Sequence, residues 1–344
     1  MRSAEVAFIV PISGGAGMPA EYDLWQHQLR LEALGVAPRF LEVERRATSM
    51  AFDWHRRNQL GTMLLPNPFV DVGLNYLHDA PALLREVRQP VLAIFGGKDT
   101  LTPPRESAAI WADALRQSGH RDYSVRLFPN GTHGLQEART GAPFEVLPEH
   151  RRVAGYYDTV VHWIGHQVGG PEYPDAHRVD VDPDTIPVES RGLYHLRWYG
   201  SGAVQPWLLI GFPLVFASAV LVAPAAWLWR RIRRQDAPPA VVWLVALFGL
   251  VNLGVLTGFV YVVYQLTQAA PHPVLDHFVL IWNLFAAATW LSLVLLLIVG
   301  RSYVAAWRNG KWSWTGRVYY TVLVLVGVCW VPFAVYWDLI LPTW

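Results

Sequence analysis

Val91-Leu92-Ala93-Ile94-Phe95-Gly96-Gly97-Lys98-Asp99 decides the fold. Five consecutive apolar residues closed by two glycines describe a strand buried on both faces, as inside a parallel sheet, because a half-solvated strand would alternate. Parallel strands need crossover helices. Downstream, Pro103 and Pro104 suit a first helical turn, Ala108, Trp111 and Leu115 share one face, and Gly119 closes the helix. Ser124-Val125-Arg126-Leu127-Phe128 then alternates more, like a strand nearer an edge. Upstream, Val6-Ala7-Phe8-Ile9-Val10 is a second continuous apolar run, and Pro19 to Ala33, ended by Gly35, carries Trp25 and Leu29 one turn apart. Val153, Tyr157, Val160 and Ile164 mark a later helix. The order is strand, helix, a variable helical insert, strand, helix, strand, helix: an α/β half-sheet with flanking helices over residues 1–168.

Composition places a second solvent in the picture. The chain has 344 residues, 53% of them hydrophobic, and the excess lies in its second half. Residues 169–204 are rich in Pro, Gly, Asp and Glu without a sustained apolar period and read as a linker with a short ordered patch around Leu193 to Trp198. Residues 205–344 then hold four apolar stretches, near 207–229, 240–264, 278–299 and 318–340. At 1.5 Å per residue each crosses a hydrocarbon layer of about 30 Å, so a four-helix all-α transmembrane domain is expected. Lipid bilayer is therefore the first partner. Arg230, Arg231, Arg233 and Arg234 occupy the first connection, Arg301, Arg308, Lys311 and Arg317 the third, and Gln265 to His277 carries neither lysine nor arginine. The excess of positive charge on the cytoplasmic side predicts a multi-pass protein of the cell membrane with the α/β part and the C-terminus outside.

Several function classes lose support. A net charge of +1 without a basic face argues against nucleic acid. The single cysteine, Cys329, excludes intrachain disulfides and Cys-based zinc sites, and its apolar setting predicts a packed residue. His162 and His166 stand one turn apart, but Trp163 occupies the position where H-E-x-x-H has its Glu, so no metal and no cofactor is expected. No charged residue lies mid-span, and Asp338 is near a helix end, which disfavours transport. Gly254 and Gly258 form a G-x-x-x-G suited to close packing, and Asn252 and Asn283 are placed to hydrogen-bond across helices. Arg30, Arg45, Arg46, Arg56 and Arg57 fit a solvated helix face as well as a substrate pocket.

The chemistry gathers at two strand ends. Asp99 follows one buried strand and His133, in Pro129-Asn130-Gly131-Thr132-His133-Gly134, follows the next, at the carboxyl end where open α/β sheets place their sites. Singly, Asp99 is a helix-entry residue and His133 a loop residue; in this order they match the acid and base of a Ser-Asp-His triad. The segment from Arg88 to Leu135 resembles the C-terminal catalytic part of the α/β-hydrolase superfamily, closest to the dienelactone hydrolase and prolyl-oligopeptidase-like branch. The resemblance covers about the first 165 residues. It implies that Asp99 orients His133, that His133 deprotonates a serine, and that a small-molecule or peptide acyl substrate is cleaved at an ester, thioester or peptide bond.

No serine of the sequence satisfies G-x-S-x-G. The nearest, Ser13 in Pro11-Ile12-Ser13-Gly14-Gly15, lacks the first glycine and reads as a polar residue near the substrate pocket. The resemblance places the nucleophile turn just before the strand that begins near Ala4. The expectation is thus a hydrolase whose nucleophile half lies upstream of Met1, inactive as these residues alone, with one unpaired strand edge. Export of some two hundred polar residues ahead of the first span also calls for an upstream signal. A separately encoded chain carrying the nucleophile half would fill the same edge. Two alternatives stay open: a non-catalytic membrane protein whose hydrolase-derived domain binds a ligand or partner, and a channel or carrier with a soluble sensor.

Overall fold

The computed structural model describes residues 5–57, 80–145, 151–234, 240–309 and 313–342. The protein is mostly helical, and two compact units divide it. The first comprises residues 1–41 and 58–195, and the second residues 42–57 and 196–344.

In the first unit, α1 (Pro19–Ala33), the start of α2 (Pro38–Arg57) and α3 (Ala80–Leu84) precede β1 (Val91–Gly96), α4 (Pro104–Gln117), β2 (Tyr123–Phe128) and α5 (Tyr156–Gln167). β1 and β2 pair in parallel, with Val91 opposite Tyr123 and Gly96 opposite Phe128. Every residue of β1 is buried, as its unbroken apolar run requires. Val91, Ala93 and Phe95 pack against Ala108, Trp111 and Leu115 of α4, while Leu92 and Ile94 face Leu135, Val153 and Trp163 on the other side. Alternate residues of one strand thereby found two cores. Trp163 is fully buried, and its indole N–H donates to the Ala176 carbonyl at 3.2 Å.

Among the described residues the regular sheet has these two strands. The stretch expected as a strand over 6–10 makes only isolated parallel bridges, Ile9 to Val91 and Ile12 to Ile94. Its main chain touches β1 at alternate residues: Ile9 N–H donates to Pro90 O, and the Ile9 and Pro11 carbonyls accept from Leu92 and Ile94. Pro11 has no N–H to donate. Among the described residues a full α/β-hydrolase sheet is not seen. The opposite edge gains a segment that sequence pattern assigned to the linker: Val125 N–H donates to Arg178 O, and Asp180 N–H to Val125 O, as Val179 bridges Val125. Arg126 ties this segment down through Asp180 at 3.0 Å.

Residues 182–195 also belong to the first unit. The first turn of α4 has no side-chain cap of its own. Glu189 replaces one, its Oε2 accepting from Arg105 N–H (2.9 Å) and Glu106 N–H (3.1 Å). Glu106 returns the contact, accepting from the N–H groups of Glu189 and Ser190. Two carboxylates thus satisfy orphan donors on each other's segments.

The second unit is built on α6 (Gln205–Ile232), α7 (Ala240–Gln268), the short α8 (Pro273–Asp276), α9 (Phe278–Asn309) and α10 (Trp314–Tyr336). The four long helices hold candidate membrane spans of 28, 29, 31 (Phe278–Arg308) and 23 residues, long and apolar enough to cross a membrane. α6 packs on α7, α7 on α9, α9 on α10, and α10 on α6, closing a ring. Outward positions such as Leu214, Leu221, Leu284 and Leu297 stay exposed, a surface that water would not tolerate and lipid solvates. The protein is an integral membrane protein.

The interior of the ring is aromatic, with Phe212, Phe216, Phe248 and Trp330 in edge-to-face contacts. The close approaches fall at Gly249, where a Cβ would press on Phe216 O and Ala219, and at Gly258, against the Phe285 ring. Gly254 faces open space, so the G-x-x-x-G expectation holds for only one of its glycines. Asn252 accepts from Ser292 Oγ at 2.8 Å, the cross-helix bond expected of it. Cys329 corrects another expectation: it is exposed on the outer side of α10, because the buried positions there are Gly327 and Trp330.

The α2 arginines are structural. Arg46 donates to Tyr336 O, whereas Arg56 and Arg57 both hold Asp53, which also accepts from Gly202 N–H at 2.9 Å. α10 starts and stops four residues earlier than the apolar stretch 318–340. Ser313 caps its first turn through Gly316 N–H, and Asp338 leaves the helix with φ of 64°.

Candidate acid-base site

β1 ends on Gly96-Gly97-Lys98-Asp99, and each residue has a mechanical task. A Cβ on Gly96 would fall on the carbonyl oxygens of Gly131 and Thr132, and one on Gly97 on the main chain of Pro129. The two glycines let the loop after β2 close over the end of β1. Gly97 N–H then donates to Phe128 O and Lys98 N–H to Gly131 O, both at 2.8 Å. The Lys98 ammonium donates to the carbonyls of Ala138 and Arg139, pinning the far side of that loop. Asp99 and the loop bearing His133 are thereby brought together.

Asp99 is buried, its side chain shielded completely from solvent. Its carboxylate accepts from Leu101 N–H (2.7 Å), Thr102 N–H (3.1 Å) and Thr102 Oγ1 (2.7 Å). The fourth partner is His133, whose Nδ1 lies 2.9 Å from Oδ2. The carboxylate accepts there, so Nδ1 carries the proton and Nε2 is the nitrogen left for chemistry. The His133 side chain is 41% exposed, which opens it to a reactant while Asp99 stays dry. Asp99 raises the imidazole pKa, by its hydrogen bond first and its charge as well, against an opposing contribution from burial.

The turn that carries His133 is itself held. Gly131 bridges Glu137, Gln136 bridges Arg152, and Leu135 N–H donates to Thr132 O. Leu135 has φ of 58° and is fully buried, so a strained residue anchors the turn in the core.

Ser13 enters the site from the upstream segment. Its N–H donates to Ile94 O at 2.7 Å and its Oγ to the main-chain carbonyl of His133 at 2.8 Å, with φ of 49°. The hydroxyl is engaged with the backbone of the base. Sequence reading placed Ser13 near the pocket, but its grip on His133 had no local signal. Among the described residues no hydroxyl is hydrogen-bonded to Nε2.

A cleft of about 360 Å³ lies on the Thr102 side of Asp99, lined by Gly15, Gly17, Tyr22, Asp23, Leu101 and Thr102 among others but by neither member of the pair. Thr102 joins the two, lining the cleft and donating to Asp99. Gly15 and Gly17 admit the Tyr22 ring, which a Cβ at either position would strike. Burial pushes the Tyr22 phenol up, so it stays neutral and accepts from Ser107 Oγ at 3.0 Å. His162 is occupied elsewhere, bonded to Asp158 O and stacked on Tyr173, and does not join His166 in a metal site. Among the described residues no three of His, Cys, Asp and Glu converge on one point.

No family model matches the chain, and no curated protein or solved structure matches it.

Proposed function

We propose that Asp99 and His133 are the acid and general base of a membrane-anchored serine hydrolase acting on an ester, thioester or peptide bond. The observation that carries this reading is the 2.9 Å contact between a half-exposed imidazole and a buried, fourfold-bonded carboxylate at the ends of adjacent parallel strands. Its chain order and the motifs around it, Phe95-Gly96-Gly97-Lys98-Asp99 and Pro129-Asn130-Gly131-Thr132-His133-Gly134, are those of the α/β-hydrolase resemblance.

In this mechanism Asp99 holds the tautomer in which Nδ1 is protonated and stabilises the imidazolium that forms. Nε2 takes the proton of an attacking serine hydroxyl and later returns it to the leaving group. No hydroxyl among the described residues is hydrogen-bonded to Nε2, so this mechanism takes its serine from outside them. Loops one and three face the cytoplasm and the site faces outward, from the arginine asymmetry of the connections.

Membranes carrying the native protein are expected to hydrolyse p-nitrophenyl acyl esters, with kcat falling by about 10³ to 10⁴ in His133→Ala and by a comparable factor in Asp99→Asn. Hydrolysis unaffected by either change removes the proposal. The second reading, a non-catalytic ligand- or partner-binding domain, draws on the lack of any hydroxyl bonded to Nε2 among the described residues. It predicts no esterase activity that depends on His133.

A further inference from the structure

Five exposed arginines crowd one end of the membrane unit: Arg231, Arg233 and Arg234 at the end of α6, and Arg301 and Arg308 on the last turns of α9. α6 and α9 run in the same direction, because the single return crossing of α7 separates them. The first turn of α10, with Trp314 and Arg317, returns at this same end.

Depth follows from helix rise. From Trp207 to Trp227, α6 advances about 30 Å, the thickness of the hydrocarbon layer, and tryptophans favour its two boundaries. Arg231, Arg233 and Arg234 therefore stand one to two turns beyond the boundary, at headgroup level. On α9 the far end of the span is given by the buried Trp282, whose indole N–H donates at 3.0 Å to the carbonyl of Asp338, just past the end of α10. Arg301 lies about 28 Å along the helix from it, at the boundary itself, with Arg308 further out. The guanidinium groups thus lie at two depths, Arg301 at the boundary and Arg231, Arg233, Arg234 and Arg308 beyond it.

Aromatic rings hold several of these cations in place. The Arg231 guanidinium lies 5.1 Å from the Trp227 ring centre, Arg233 4.2 Å from Trp229, and Arg317 5.6 Å from Trp307. The sequence around them is poor in acidic residues. Gly300 to Arg317 contains no Asp or Glu, Trp227 to Pro239 contains only Asp236, and the connection at the opposite end, Gln265 to His277, has no Lys or Arg.

We infer that this end is a docking surface for anionic phospholipids, whose phosphates these arginines bind. Charge complementarity selects the partner, and depth selects its form. A soluble polyanion would meet the outer arginines alone, whereas a phosphodiester in the bilayer sits at the level of Arg301 and the stacked tryptophans. The surface goes beyond the topology rule, which needs only an excess of charge and no bound lipid phosphate.

The test uses the full chain reconstituted in mixed bilayers with spin-labelled phosphatidylglycerol or phosphatidylcholine, reading the fraction of each lipid immobilised at the protein. The native protein is expected to prefer phosphatidylglycerol by about tenfold at low salt. The preference should fall at least about fivefold in R231Q/R233Q/R234Q/R308Q and in about 0.5 M salt, where screening is strong, and persist in the matching lysine variant. Equal association of the two lipids, or a preference that survives the glutamine changes, overturns the proposal. Should the glutamine variant lose its helical circular dichroism, the salt series on the native protein decides, and a salt-insensitive preference overturns it equally.

Discussion

At the scale of single residues, the acid-base pair is a matter of which atom holds a proton. Asp99 accepts from Leu101, Thr102 and His133, so the imidazole is fixed by a carboxylate that is itself fixed. The His133 pKa is raised above its ordinary value by that bond. The folded-state value exceeds the unfolded one, so stability from the pair is complete below about pH 6.5 and is lost as pH rises through the folded value. Base catalysis runs the other way, appearing only as pH climbs through the same raised value. Imidazole NMR on the full chain should show His133 titrating above the ordinary histidine value, and returning toward it in Asp99→Asn. Gly96 is the second residue on which the site depends. Gly96→Ala would set a methyl against two carbonyl oxygens, and should cost about 2 kcal/mol or more, seen as a lower midpoint of thermal unfolding of the first unit.

At the scale of elements, local pattern was readable wherever burial alone sets it. The apolar run 91–95, the helix from Pro19 to Ala33, the prolines before α4 and the four spans all follow from periodicity, and the structure places elements at each. The segments that were not readable are held by polar contacts with distant partners. Residues 178–180 join the edge of β2 through main-chain bonds and the Arg126–Asp180 pair, and no apolar alternation announces them. Glu189 caps a helix more than eighty residues earlier, a relation no window of sequence contains. α10 was displaced because apolar length marks where lipid is, while caps mark where a helix ends. The site shows the same division: Asp99 and His133 were legible from motif and strand ends, whereas the bond from Ser13 to the His133 carbonyl was not. Glu189→Ala should destabilise the first unit by about 1 kcal/mol through loss of the cap, and Glu189→Gln, which keeps an acceptor oxygen, should recover most of it, as measured by denaturant unfolding. Within the ring, Asn252→Ala breaks the bond from Ser292 and should cost about 0.6 kcal/mol, read by unfolding in mixed micelles.

At the scale of the whole molecule, two solvents act on one chain. Water requires the first unit to bury β1 on both faces, and lipid requires the second to turn leucines outward and satisfy every main-chain group within helices. The proposed orientation has a direct consequence. In a Cys329→Ser background, His177→Cys should react with a membrane-impermeant maleimide applied outside cells, and Arg308→Cys should react only after permeabilisation; the reverse pattern inverts the topology. The most direct test of the acid-base reading is a membrane-impermeant fluorophosphonate applied to intact cells expressing the native locus, followed by isolation of this protein with whatever accompanies it. The account predicts a serine labelled in the native complex and unlabelled in His133→Ala. Labelling that is absent from the native complex, or equal in the two, contradicts it.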